Sequence, residues 1–144
     1  MSRYIIGIVG PIGSGKSTTS AFLVKKGFVH LRFSAEIEKE IKKRNLEFSR
    51  KNYQDIGNEW RARKVDFISR RILKKIAKLP KESKIVIEGC RNPGEIYPFK
   101  KLGNFYLIGL NAPVEVRFQR VNKLSRDPKT WEEFESLIPK EHGK

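Results

Sequence analysis

The chain has 144 residues, 38% hydrophobic and 33% charged, enough for one domain with a sizeable core and little room for a second. The lone cysteine, Cys90, excludes an internal disulfide and a cysteine-metal cluster and suits a reducing cytoplasm, and no apolar run is long enough to span a membrane. Lys and Arg total 31 against 16 Asp and Glu, and the net charge of +15 points to polyanionic partners, either nucleic acid or small phosphorylated molecules.

Met1-Ser2-Arg3 leads directly into an apolar run, with no signal-peptide pattern. That run, Tyr4-Ile5-Ile6-Gly7-Ile8-Val9, predicts a buried strand, and it delivers the chain into Gly10-Pro11-Ile12-Gly13-Ser14-Gly15-Lys16-Ser17. The octet fits G-x-x-x-x-G-K-[ST], a phosphate-binding loop between strand and helix. Glycines allow successive backbone N–H groups to turn inward as an anion nest, and Lys16 adds a point charge for the β- and γ-phosphates. The Ser17 hydroxyl can ligate Mg²⁺, and the dipole of the following helix favours the same anion. The motif predicts that the chain holds a nucleoside triphosphate, with Gly10, Gly13, Ser14, Gly15, Lys16, Ser17 and Thr18 as the candidate phosphate-binding residues.

Residues 17–26 read as a helix with Phe22 and Leu23 as apolar contacts and Gly27 as its C-terminal cap. Residues 28–33 predict a second strand, in which His30, without a nearby ligand partner, is a strand residue and not a metal ligand. Ser34 fits a helix N-cap, and a mixed-charge helix is expected over 36–51, interrupted near Asn45. Asn52 to Lys78 predicts a further helix, broken near Gly57, with Val65, Ile68, Ile72, Ile76 and Leu79 as its core face. Its Arg and Lys residues form a solvated face. Ile85-Val86-Ile87 is a third strand, residues 93–102 hold a loop and short helix, and Phe105 to Leu110 make a fourth strand. Pro113 opens a helix, and Trp131 to Leu137 is the last one. Strands alternating with helices predict an α/β domain, a three-layer α/β/α arrangement with a mainly parallel sheet whose carboxyl ends carry the ligand.

The other strand ends add chemistry. Glu88 follows the third strand, where an acid can hold Mg²⁺ or its waters. Arg91, in the turn Gly89-Cys90-Arg91-Asn92-Pro93-Gly94-Glu95, is placed to grip an acceptor's phosphate. Arg117 and Arg120 share a helix face and, with Arg126, flank a polar loop that could close over a transferring phosphoryl group.

Five stretches resemble the P-loop nucleotide kinases, in particular the dephospho-CoA-kinase-like and archaeal adenylate-kinase-related group: GPIGSGKST, FSAEIEKEI, NYQDIGNEWR, IVIEGCRNPGEI, and FYLIGLNAPVEVRFQR with the following RDPKTWEEF. The resemblance implies that ATP and Mg²⁺ bind at the loop. It also implies that Arg50, Arg61 and Arg91 face the acceptor and that Arg117, Arg120 and Arg126 belong to a lid-like segment over 111–137. Two departures stand out. The group carries an acid just after the second strand's Ser and then an Arg, whereas Ala35 and Glu38 occupy those positions here, with Glu36 the acid at hand to substitute. The group also continues into another strand and helix, which a single kinase-like domain over 1–144 would lack.

The expectation is therefore a cytoplasmic, ATP- and Mg-dependent phosphotransferase acting on a small phosphorylated acceptor. A nucleoside monophosphate is favoured over dephospho-CoA, because an ionised phosphate needs no strong base to attack. Lys16, Arg91, Arg117, Arg120 and Arg126 are the candidate catalytic residues, and Ser17 and Glu88 the candidate metal ligands. The alternative is a non-transferring ATP-binding module whose basic helix contacts nucleic acid or a protein partner.

Overall fold

Strand β1 (Arg3–Val9) pairs in parallel with β3 (Lys84–Glu88) on one side and with β4 (Gly103–Gly109) on the other, and β2 (Val29–Arg32) extends the sheet beyond β3. This is a computed structural model, and it describes residues 3–121. The register sets Ile8 and Arg32 beside Glu88, and Val9 beside Gly109. All four carboxyl ends thus meet along one edge, where a parallel α/β sheet places its ligands.

Helix α1 (Lys16–Lys25) packs on one face of the sheet. Against the other lie α2 (Phe33–Lys43), α3 (Arg50–Arg63), α4 (Phe67–Ala77) and α5 (Pro93–Lys100), while α6 (Val114–Val121) follows β4. The result is the three-layer α/β/α arrangement expected from the alternation of strands and helices. Alternation along β1 and β3 sends Ile5, Ile85 and Ile87 into the larger core, where they meet Phe33, Ile37, Ile41, Ile56, Trp60, Ile68, Ile72, Ile76 and Phe99. Each such buried side chain contributes roughly 1.5–3 kcal/mol, so this multi-helix face carries most of the burial energy. Across the sheet, Ser20 is the buried residue of α1, and Phe22, expected as an apolar contact, is 57% exposed. Among the described residues, no helix is long and apolar enough to cross a membrane.

The chain departs from expectation where local signals competed with packing. Helix α2 starts at Phe33 with Arg32 in the cap position, so Ser34 lies inside the helix and caps nothing. The interruption near Asn45 is real: α2 ends at Lys43 and Asn45 has φ 59°. No break occurs at Gly57, which is buried within α3; the helices divide at 64–66 instead. Burial of Ile56 and Trp60 beside it outweighs the helix penalty of glycine, about 1 kcal/mol. Val65 consequently sits in the connection and is 47% exposed, outside the core face on which Ile68, Ile72 and Ile76 are buried. The expected final helix from Trp131 to Leu137 lies outside the described residues.

Candidate functional site

The loop between β1 and α1 has the geometry its glycines suggest. Gly13 has φ 79°, and Gly15, at the N-cap of α1, has φ 105°. A Cβ on Gly13 would also stand 2.7 Å from the carbonyl oxygen of Arg117, backbone that cannot swing aside, so strain and space both exclude a side chain. Lys16 begins α1, and its Nζ donates to the carbonyl oxygens of Gly10 at 2.5 Å and Pro11 at 3.1 Å. The ammonium therefore sits on the loop itself, at the N-terminus of α1, whose dipole favours an anion. Gly10, Gly13, Gly15, Lys16, Ser17 and Thr18 all line one cleft of about 720 Å³, a volume typical of small-molecule sites. Ser14 does not line it. Its hydroxyl is buried behind the loop without a hydrogen-bond partner among the described residues.

Glu88 reaches the same cleft from the end of β3. Its side chain is 13% exposed, and Oε1 accepts from Ser20 Oγ at 2.7 Å and lies 3.2 Å from His30 Nε2. His30 is thus a strand residue, as expected, with a link to Glu88 that a separation of 58 positions hid from sequence reading. Ser17 and Glu88 offer a hydroxyl and a carboxylate, hard oxygen donors of the kind Mg²⁺ takes. Among the described residues no cluster of three or more His, Cys, Asp or Glu forms a cage. The donor set therefore suits a cation that arrives with a nucleotide's phosphates and keeps most of its ligands from them and from water.

The far side of the cleft is built by α3 and the turn before α5. Arg50, Tyr53 and Arg61 line it at helical spacing, and Arg91 joins them from the turn. The sequence Asn92-Pro93-Gly94-Glu95 works as a helix start: Asn92 Oδ1 accepts from the Glu95 N–H at 3.1 Å, with Pro93 in the first turn. Glu95, absent from the sequence candidates, is fully buried. Its Oε2 accepts from Arg61 Nε at 2.6 Å and its Oε1 from the Arg91 N–H at 2.8 Å. The N-x-x-E spacing signalled the cap but not the ion pair. Cys90, next to this turn, has its thiol pushed up to about 12 by burial and by the charge of Glu95, so it stays protonated.

Arg32 was also missed; it lines the cleft from the end of β2, with Nη2 3.6 Å from Glu38. Glu36, the acid expected to substitute at the acceptor position, points elsewhere. It is buried and paired with Lys75, with Lys39 at 3.4 Å and with Arg71 at 3.3 Å, bracing α2 against α4. Burial pushes its carboxyl up, but the hydrogen bond and charge of Lys75, then of Lys39, outweigh that and hold it below the usual carboxylate range.

The two lid-like arginines of α6 divide. Arg120 lines the cleft and donates from Nη1 to the Gly13 carbonyl at 2.8 Å. Arg117 is 4% exposed and sits behind the loop, donating to the carbonyls of Ile12 at 3.1 Å and Ala112 at 3.3 Å. Its place among groups facing the phosphates is therefore corrected: in this structure it props the loop. Arg126 lies outside the described residues.

Comparison with known proteins agrees with this geometry. The family model described as "AAA domain" (AAA_18) matches residues 6–140. A UPF0200/UPF0201 protein of Archaeoglobus fulgidus is 34% identical over 96% of the chain, which spans only 45% of that protein. A UPF0200 protein of Hyperthermus butylicus is 30% identical over 92% of the chain and 72% of its own length. Among solved structures, TT1252 from Thermus thermophilus superposes with TM-score 0.58 at 20% identity, covering 98% of this chain and 83% of that one. Shikimate kinase from Acinetobacter baumannii, in complex with shikimate, gives TM-score 0.56 at 20% identity over 93% of this chain and 72% of its own. These structures share the P-loop fold. The loop, the parallel sheet and the matched families agree: the chain has the P-loop fold and belongs to the AAA_18 family and to that of the archaeal UPF0200 proteins.

Proposed function

We propose that this chain is an ATP-dependent phosphotransferase whose acceptor is itself phosphorylated, a nucleoside monophosphate in preference to dephospho-CoA. One observation carries the reading. The cleft that begins at the phosphate loop continues to Arg61 and Arg91, and its described lining holds six cationic side chains (Lys16, Arg32, Arg50, Arg61, Arg91 and Arg120) against one carboxylate, Glu88. A single triphosphate does not require cations on both walls; two phosphorylated molecules do.

On this reading the loop N–H groups and Lys16 hold the β- and γ-phosphates, and Arg120 lies beside them. A divalent cation held by Ser17 and Glu88 would neutralise phosphate charge when bound. Arg61 and Arg91 hold the acceptor's phosphate so that one of its oxygens faces the γ-phosphorus. That oxygen forms the new P–O bond as the bond to the β-phosphate oxygen breaks and ADP leaves. The nucleophile is already ionised, so positioning and electrostatics suffice without a general base. The scarcity of carboxylates in the cleft fits this better than it fits a hydroxyl acceptor.

The competing idea, a basic face for nucleic acid, has less support. Many of the helix cations are already paired: Arg44 with Glu40 and Glu59, Lys51 with Asp55, Arg70 with Asp66. An ADP-release assay across the nucleoside monophosphates and dephospho-CoA tests the proposal. Turnover stimulated by a monophosphate is the expected result; no stimulation by any acceptor sinks it. Steep salt-dependent binding to RNA or DNA, with a log–log slope near −0.9 per phosphate neutralised, would favour the alternative.

A further inference from the structure

Gly57 presents a puzzle that the fold alone does not solve. It lies in the interior of α3, buried, with no left-handed φ that would call for glycine. Glycine is also the poorest helix former after proline. What a side chain would meet there is specific: an added Cβ would stand 2.9 Å from Arg61 Nη1 and 3.4 Å from Ile37 Cδ1. The missing side chain makes room for the guanidinium one turn further along the same helix.

That guanidinium is held from the other side. Arg61 is 14% exposed and Glu95 fully buried, and their 2.6 Å contact runs through Nε, the edge of the group away from the bidentate Nη fork that an anion would take. The same carboxylate accepts from the Arg91 N–H at 2.8 Å, so one buried acid fixes both acceptor-side arginines relative to each other. Glu95 is itself immobilised, by Asn92 on its N–H and by Ser69 Oγ on its carbonyl at 2.7 Å.

We propose that Gly57 and Glu95 are positioning residues that seat the Arg61 guanidinium as a preorganised anion-binding group for the acceptor's phosphate. The inference rests on the transferase reading above. The test uses the full chain with Mg-ATP, or a non-hydrolysable analogue where turnover must be avoided, and compares Gly57→Ala, Glu95→Gln and Arg61→Lys with wild type. Three quantities are read: the melting temperature, the Nε–Hε NMR signal of Arg61 (assigned by its loss in Arg61→Lys), and the separate KM values for ATP and acceptor.

Gly57→Ala should still fold cooperatively, because alanine favours the helix and only a flexible side-chain end must move, although displacing the guanidinium from buried Glu95 lowers the melting temperature. It should nevertheless lose the solvent-protected Arg61 signal and raise the acceptor KM at least tenfold, with the ATP KM within twofold. Glu95→Gln should lose the same signal and also melt lower. A protected Arg61 signal that persists in Gly57→Ala overturns the seat. An Arg61 signal in the wild type that 5′-AMP, 5′-CMP, 5′-GMP and 5′-UMP all leave unmoved overturns the acceptor role. A shift with 5′-AMP in a chain that turns over no acceptor supports the seat and refutes the transferase reading alone.

Discussion

Arg117 supports the phosphate loop at Gly13 from behind: its Cα lies 2.9 Å from where a Gly13 Cβ would stand, and its Nη1 donates to the carbonyl of Ile12. Three residues on, Arg120 reaches the carbonyl of the same Gly13 while remaining exposed. The two arginines thus approach one loop from opposite environments, and they should fail differently. Arg117→Ala strips charge-assisted bonds from buried carbonyls, a loss of about 1.5–3 kcal/mol, and should lower the melting temperature and ATP affinity together. Arg120→Ala should leave melting unchanged and reduce turnover by about tenfold or more, as expected of a phosphoryl-facing cation. Thermal melts with parallel nucleotide titrations check both; an Arg117→Ala chain of wild-type stability would contradict the propping role.

The bond from Ser20 to Glu88 predicts a graded effect on the metal. Glu88→Gln removes the carboxylate charge and should shift the Mg²⁺ dependence of activity to at least tenfold higher concentration. Ser20→Ala leaves the carboxylate in place with His30 still beside it, and the shift should be smaller, about two- to fivefold, under 1 kcal/mol and within the range of a single hydrogen bond. Magnesium titrations at saturating ATP separate the two; equal effects would mean that Glu88 serves only to bury Ser20.

Glu36 gives a pH signature. Its carboxyl lies below the usual range in the folded chain, so its stabilisation is complete above the unfolded value of about 4.5 and is lost as pH falls through the depressed folded value. Lys75, raised by its hydrogen bond to Glu36, has the opposite sign: its contribution is present below about 10.5 and is lost as pH rises beyond that. Glu36→Gln should therefore destabilise at pH 7 and less at pH 3, the deficit shrinking as pH falls below about 4.5. The Lys75 and Arg71 side chains are 34% and 40% exposed, so solvent screening holds the effect to about 1–2 kcal/mol. Urea unfolding at the two pH values measures the difference; a deficit independent of pH would point to packing instead.

Cys90 should be inert. With its thiol pushed up to about 12, the thiolate fraction at pH 8 is on the order of one in ten thousand. Iodoacetamide should label the native chain far more slowly than the chain in urea. Rapid labelling of the native chain would show that the turn before α5 opens readily.

Sequence reading succeeded where the determinants were contiguous and faltered where they were not. The loop between β1 and α1 is eight consecutive residues whose glycines set its backbone, so no partner had to be known to place it. Val65 was misread because periodicity ran across a connection containing neither Gly nor Pro, and Gly57 because its local penalty said nothing of Arg61 beside it. Ser34 looked like a cap, yet Phe33 enters the core and draws the helix start back to it. Glu95 announced a helix start correctly, while its more consequential partner, Arg61, is 34 positions away.

By itself, then, the sequence determined the strand–loop–helix that carries the phosphate-loop motif, the parallel α/β class, and a surplus of positive charge. Backbone conformation and helix or strand period are local properties, and they are written in neighbouring residues. The tertiary structure alone decided which cations face the cleft. It turned Arg120 toward the loop and buried Arg117 behind it, took Glu36 into a brace, and set Arg61 between Gly57 and Glu95. These assignments depend on which helices pack where, and that is a cooperative outcome of the isoleucine-rich core and of no single motif.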